Sequence, residues 1–166
     1  PNLASFKGSP TIVEDYLLVN VGVSWRILVF DLHQRQIKWW YFNLRVPGWG
    51  MSHDSVYGVG SCGDFHSFDR QTGEEVLRTT RFFPQGYNKG AGSRGTTVGD
   101  YCFFYYEQSE QEQVIAYEIQ TGQPVWRYSL PDLLQAPISY ADGNLIFCDV
   151  EGVVYCLRMT GEGPAK

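Results

Sequence analysis

The sequence has no apolar run of about 18 residues, the length that a membrane-spanning helix needs, so no membrane span is predicted. It also lacks an excess of positive charge. Lys and Arg number 13 against 18 Asp and Glu, a net charge of −5. Phosphate backbones bind basic surfaces, so a nucleic-acid partner is not expected. Histidine is scarce, with 3 in 166 residues, and their spacing is not typical of a metal site.

Cysteine is sparse as well, with 4 residues and no Cys-x-x-Cys pair to indicate zinc or redox chemistry. Cys148 and Cys156 are predicted on adjacent strands, where a disulfide could join them. The alternative is that Cys62, Cys102, Cys148 and Cys156 are buried small side chains. The sequence leaves both alternatives open.

What the chain does have is aromatic residues, at 16%, with 18 Gly and 8 Pro. Aromatic and β-branched residues favour strands, and Gly and Pro favour turns. No segment has a sustained helical period, and Asp132–Gln135 could form at most one helical turn. The length fits one domain, residues 1–166.

The stretch Ala116–Trp126 predicts a strand, a tight Thr-Gly turn and a second strand, and it recurs every 40 to 50 residues or so. The repeated positions are Asp31 and Trp39, then Asp69, Thr72 and Gly73, then Glu118, Thr121, Gly122 and Trp126. Cys156–Gly161 is a decayed fourth copy. A second marker keeps the same rhythm, an Asp at a turn before an apolar strand: Asp15, Asp54, Asp100 and Asp142.

Four-stranded antiparallel units of this length predict an all-β fold, a β-propeller of four blades. The blades are expected at about 8–45, 50–83, 95–130 and 136–163. The fourth copy is expected to stop before its last strand. Either Asn2–Lys7 supplies that strand and closes a small ring, or the chain is part of a larger propeller. An incomplete ring would favour self-association.

The pattern from Ala116 through Glu118, Thr121 and Gly122 to Trp126 resembles the quinoprotein-type, PQQ-like propeller repeat. The resemblance implies that these residues are scaffold, with Trp docking one blade on the next. Enzymatic members hold pyrroloquinoline quinone and Ca²⁺, but no catalytic, cofactor or metal residue can be mapped onto this sequence. The resemblance therefore favours the non-enzymatic branch, which includes the propeller lipoprotein of the outer-membrane assembly machine. It alone favours a periplasmic or extracellular location.

Two local motifs suggest chemistry, and each has a simpler interpretation. His53-Asp54 looks like part of a catalytic dyad, but the repeated Asp predicts that the Asp54 carboxylate caps turn amides. Lys89–Gly95 contains a formal GxGxxG that precedes a strand rather than a helix, so it predicts a loop. An anion held there by Lys89 and Arg94 is the alternative. His33 falls in a turn, and His66 aligns with Tyr155.

The B–C hairpins and the D-to-A links between blades are expected on one face, which we call the loop face. Irregular aromatic and charged residues collect there: Trp25, Trp49, Phe82, Phe83, Tyr87, Lys89, Arg94, Glu110 and Glu112. Such loops on a rigid scaffold suggest recognition of a protein or peptide. The alternative is that the aromatics fold down as core. A dehydrogenase fragment and a glycan-binding propeller are the other functional hypotheses.

Overall fold

The computed structural model describes residues 10–21, 26–42, 48–60, 63–79, 96–108, 111–134, 137–160 and 163–164. Within these ranges the chain forms four four-stranded antiparallel sheets, each made of consecutive strands. They follow one another along the chain as four propeller blades, as the repeats predict. The described residues include no helix with the length and hydropathy to cross a membrane.

The first two blades occupy the N-terminal half of the chain. Blade one contains β1 (Thr11–Val13), β2 (Tyr16–Val21), β3 (Arg26–Asp31) and β4 (Gln36–Tyr41). Blade two contains β5 (Gly48–Met51), β6 (Ser55–Val59), β7 (Phe65–Asp69) and β8 (Glu75–Arg78). β5 begins slightly before the predicted boundary at residue 50, because Gly48 pairs with Val59.

The other two blades follow in the same order. Blade three contains β9 (Thr96–Val98), β10 (Tyr101–Gln108), β11 (Gln111–Glu118) and β12 (Pro124–Leu130). Blade four contains β13 (Ser139–Ala141), β14 (Asn144–Cys148), β15 (Val154–Thr160) and β16 (Gly163–Pro164). The prediction that the fourth copy stops before its last strand is wrong, since β16 pairs with Met159 and Thr160. A strand of two residues has no sequence pattern to detect. Asn2–Lys7 lies outside the described residues.

In each blade, the turn between the first two strands is joined by a backbone hydrogen bond to the end of the third strand. In each blade the second turn residue accepts a backbone hydrogen bond through its carbonyl oxygen. The bonds are Leu32 N to Asp15 O, Arg70 N to Asp54 O, Ile119 N to Asp100 O and Met159 N to Gly143 O, at 2.8, 2.9, 2.9 and 2.8 Å. The fourth counterpart is therefore Gly143 rather than Asp142, and the recurring bond uses the carbonyl, not the predicted carboxylate.

The turn between the third and fourth strands follows the predicted Thr-Gly chemistry. Asp69 Oδ1 accepts from the amides of Gln71 and Thr72 at 2.8 and 2.7 Å, and Gly73 adopts a φ of 75°. The hydrogen bonds from these two amides also lower the pKa of Asp69, and the one from the Thr72 amide has the largest effect. Arg35 occupies the glycine position in blade one at a φ of 53°, which confirms the alignment.

Apolar side chains pack between consecutive blades. Buried clusters join blades one and two, two and three, and three and four. Trp39 docks blade one on blade two: its Nε1 donates to Arg70 O at 2.8 Å, and its ring lies against Gly73. Trp126 packs in the cluster between blades three and four. The docking role that the resemblance implies for both Trp residues is confirmed.

The cysteines in the described part of the chain are free. Cys148 lies opposite Val154 and Cys156 opposite Ile146, so the two thiols are diagonal neighbours rather than a facing pair. The disulfide alternative is therefore not observed. Cys102 is buried as the other alternative expects, whereas Cys156 is exposed. Burial raises the pKa of the Cys102 thiol well above its ordinary value. Cys62 lies outside the described residues.

Candidate functional site

The loop face is only partly within the described residues. Two of its predicted residues, Trp49 and Glu112, are described. The others lie outside the described ranges: Trp25, Phe82, Phe83, Tyr87, Lys89, Arg94, Glu110 and the GxGxxG glycines Gly90, Gly92 and Gly95. Their part in binding stays a prediction.

Trp49 is a core residue. It lies in β5 rather than in a link, and only 6% of its surface is exposed. Its ring packs 5.9 Å from the Phe68 ring in the cluster between blades one and two. Because the cross-strand partner is Gly58, no side chain there competes for this space. The prediction of an exposed binding aromatic at Trp49 is wrong, and the core alternative is confirmed for it.

Glu112 stands near the expanded hairpin of blade three. It lies in β11, opposite Glu107 on one side and Leu130 on the other. The Tyr105 hydroxyl donates to Glu112 Oε2. A half-buried carboxylate held in this way is a fixed acceptor at the edge of the loop face.

An exposed apolar ridge that the sequence reasoning missed lies on the loop face of blade four. Leu133 is in the link before this blade, and Val150 and Val153 flank its B–C hairpin. Their exposed fractions are 40%, 44% and 51%. Val150 N donates to Leu133 O at 2.9 Å, which joins the link to the hairpin. We call these three residues the blade-four ridge.

Asp149 fixes the backbone beneath the ridge. Its side chain is 1% exposed. Oδ1 accepts from Val153 N and Oδ2 from the Tyr155 hydroxyl, both at 2.9 Å. Leu134 forms a β-bridge with Asp149. Desolvation, and then the bond to Asp149, raise the pKa of Tyr155. The apolar ridge is therefore presented by a built, hydrogen-bonded hairpin.

His66 is buried near the loop-face end of blade two. Its Nδ1 lies 2.6 Å from Glu75 Oε1 and its Nε2 lies 2.8 Å from Asp64 Oδ2. The side chain is completely buried, and its ring stacks on Phe68 at 6.5 Å. The hydrogen bond with His66 lowers the pKa of Asp64. With both ring nitrogens occupied and no solvent access, His66 is a structural residue.

The face opposite the loops carries the other charged cluster. Arg70 is 4% exposed; its Nη2 donates to Glu14 Oε2 at 2.9 Å, and its guanidinium lies 4.5 Å from the Tyr16 ring centroid. His53 Nδ1 lies 2.6 Å from Glu14 Oε1, and its Nε2 is 3.6 Å from Asp54. His53 and then Arg70 lower the pKa of Glu14 by hydrogen bonding. His53 thus bridges two blades instead of forming a dyad with Asp54.

The described residues supply no cluster for the Ca²⁺ ion that the resemblance raises. They contain no group of three or more His, Cys, Asp or Glu side chains able to hold a metal ion. Ca²⁺ takes six to eight oxygen ligands, so these residues supply no such site. The buried carboxylates are committed instead to turns and to His66. The arrangement can hold a shape and present side chains.

The fold is similar to that of several solved proteins. BamB from Moraxella catarrhalis aligns with a TM-score of 0.70 at 20% identity, over 92% of this chain and 43% of that chain. Quinohemoprotein alcohol dehydrogenase from Comamonas testosteroni aligns with a TM-score of 0.60 at 20% identity, over 76% of this chain and 22% of that chain. The computationally designed Ika4 protein aligns with a TM-score of 0.72 at 11% identity, over 96% of this chain and 94% of that chain.

No family model matches the sequence, and no curated protein matches it significantly. The structural similarities show that the chain has the PQQ-like β-propeller fold. The chain spans less than half of the length of the BamB chain that it matches. Because BamB and an alcohol dehydrogenase share this fold, function has to be argued from side chains.

Proposed function

We propose that this protein is a non-catalytic binding or scaffold propeller that recognises a protein or peptide through its loop face. The observation that carries the proposal is the blade-four ridge, in which Leu133, Val150 and Val153 are 40%, 44% and 51% exposed. A hydrogen-bonded hairpin holds them in place, so little conformational entropy is lost when a partner covers them.

The size of the ridge limits what it can contribute alone. Complete burial of a Val or Leu side chain is worth roughly 1.5–3 kcal/mol, so covering three half-exposed ones gives about 3 kcal/mol. A Kd of 1 mM already corresponds to about 4 kcal/mol. The proposal therefore requires other loop-face residues to contribute, and the predicted aromatic residues Trp25, Phe82, Phe83 and Tyr87 are the candidates.

A displayed peptide library panned against the chain tests the proposal. We expect enriched peptides with apolar side chains, whose binding falls at least tenfold in the variants Leu133→Glu and Val150→Glu. Val76→Glu and Val125→Glu are matched controls, because these valines are 61% and 51% exposed but lie on outer strands. Equal binding by all four folded variants would contradict the proposal.

The dehydrogenase hypothesis is favoured by one observation, the similarity to quinohemoprotein alcohol dehydrogenase. Titration with pyrroloquinoline quinone and Ca²⁺, followed by a dye-linked oxidation assay, separates it from the binding proposal. A spectral change with turnover would replace the proposal by an enzymatic one. A glycan array separates the third hypothesis, since specific glycan capture would move the ligand from peptides to sugars.

A further inference from the structure

The two ends of the blade series carry uncovered sheet faces. Each blade has a front face, which packs on the following blade, and a back face, which packs on the preceding one. Phe65, for example, lies on the front face of blade two and its ring stacks 5.8 Å from Tyr117 on the back face of blade three. Among the described residues, no buried cluster covers the back face of blade one or the front face of blade four.

The back face of blade one is largely apolar, and the Arg26 guanidinium on this face lies over the Trp40 ring, 5.6 Å from its centroid. Its register places these residues on one side of the sheet: Ile12, Leu17, Val19, Leu28, Phe30 and Trp40. Ile12 and Trp40 are 63% and 58% exposed, and the other four are partly exposed. The counterparts of Leu17 in blades two to four are Val56, Cys102 and Leu145, all 0% exposed.

The front face of blade four shows the same contrast. Val154 is 67% exposed, whereas its counterparts Ile27, Phe65 and Val114 are 1%, 0% and 0% exposed. Cys156 is also exposed, although Val29 and Ala116 at the equivalent position are 0% exposed. Among the described residues, no buried cluster joins blade four to blade one.

We infer that a second copy of this chain covers both faces, with blade four of each copy packing on blade one of the other. The two faces are the unmatched halves of one interface that the chain already forms three times. A two-fold arrangement covers both of them with a single kind of contact and closes a ring. Each uncovered face is therefore complementary to a blade from a second copy of this chain.

The existing interfaces predict which residues meet. Phe65 contacts Tyr117 between blades two and three, with rings 5.8 Å apart, and the equivalent pair across copies is Val154 with Phe30. Tyr57 meets Phe104 at 6.4 Å, and the equivalent pair is Ile146 with Val19. The apolar back face also gives the small side chains of blade four a surface of large ones to cover.

Sedimentation velocity of the unmodified chain is the first test. We expect a concentration-dependent species of twice the 18.9 kDa chain mass. Labelling of Cys156 by iodoacetamide, measured on its peptide, should slow at least tenfold between dilute protein and protein above the dimer dissociation constant. Cys102, which is buried within the chain, should label slowly at both concentrations. A monomer at all concentrations, with unchanged Cys156 labelling, or an open-ended polymer, would overturn the inference.

A charge exchange tests the head-to-tail contact itself. Val154→Glu or Phe30→Lys alone should raise the dimer dissociation constant at least tenfold, because each buries one charge at both interfaces. An equal mixture of the two variants should form a heterodimer, since one interface then pairs Glu with Lys and the other is unmodified. Val76→Glu is the control and should dimerise normally.

Circular dichroism and cooperative unfolding establish that each variant is folded. If the mixture dissociates as readily as either variant alone, the head-to-tail arrangement is wrong. If a variant does not fold, the Cys156 labelling of the unmodified chain still decides.

Discussion

Gly73→Ala tests how closely consecutive blades approach. A Cβ at Gly73 would lie 2.7 Å from Cγ and Cδ2 of the Trp39 indole in the neighbouring blade. Gly73 also has a φ of +75°, which costs a residue with a Cβ roughly 1 kcal/mol. Displacing the indole loses its hydrogen bond to Arg70 O, worth about 1 kcal/mol, and part of its packing on Phe68, about 1 kcal/mol more. We expect a loss of about 3 kcal/mol in the free energy of unfolding.

The matched control is Gly143→Ala. Gly143 has a φ of +78°, but nothing lies within 4 Å of an added Cβ, so only the backbone term of about 1 kcal/mol is expected. Urea unfolding followed by Trp fluorescence measures both values. In the Trp39→Ala background the cost of Gly73→Ala should fall to that of the control. Equal losses for the two glycine variants in the unmodified background would refute the close approach of Trp39 to Gly73.

Three further results are expected from the buried ionisable groups. The hydrogen bond with His66 lowers the folded-state pKa of Asp64 from an ordinary value of 3.8, so the contribution of Asp64 to stability is present above that pH and is lost as the pH falls below it. In Asp64→Asn the free energy of unfolding should therefore depend less on pH in this acid range. An unchanged pH dependence there would contradict this. Burial raises the pKa of Tyr57 well above 10.0, so the free energy of unfolding should fall as the pH rises past 10. Phenolate absorbance from Tyr57 should appear only when the protein unfolds. Titration of Tyr57 in the folded state near pH 10 would count against its burial. His66→Leu removes both carboxylate contacts and should destabilise by about 2–3 kcal/mol in urea unfolding, while the exposed His33→Leu should change stability by less than about 0.5 kcal/mol.

The blade architecture could be predicted from sequence because it depends on local chemistry that repeats. Thr-Gly turns need a residue with positive φ, and Gly73 and Gly122 have values of 75° and 65°. Trp39 could be assigned to the blade interface for the same reason, since a large side chain follows the turn in two of the repeats. Repetition supplied the register that a single hairpin would not.

The candidate site could be predicted less well, because burial depends on neighbours that are distant in sequence. Trp49 looks like a loop aromatic, yet the absence of a side chain at Gly58 and the presence of Phe68 make it a core residue. The blade-four ridge depends on the bond between Val150 and Leu133, which lie in different connections. The carboxylate of Asp149 holds that hairpin by accepting a hydrogen bond from Val153 N, a contact that the sequence pattern does not predict.

The turn between the first two strands of blade four shows a further limit of prediction from sequence. Asp142 matches the other turn aspartates by eye, but the structural counterpart is Gly143, because the two-residue turn there is Asp-Gly rather than x-Asp. A shift of one residue cannot be seen when the shared feature is a carbonyl oxygen that every residue has. Sequence patterns locate side-chain chemistry better than backbone bonds.

The central claim is that the repeated turns build every blade in the same way, through one backbone hydrogen bond from the end of the third strand to the turn between the first two strands. Amide hydrogen exchange measured by NMR at Leu32, Arg70, Ile119 and Met159 tests it most directly, because the same turn-to-strand bond protects all four. We predict slow exchange at the four amides, in the range of the central strands of their blades. Exchange at the rate of an unstructured chain at these positions, with the strands still protected, would contradict the claim.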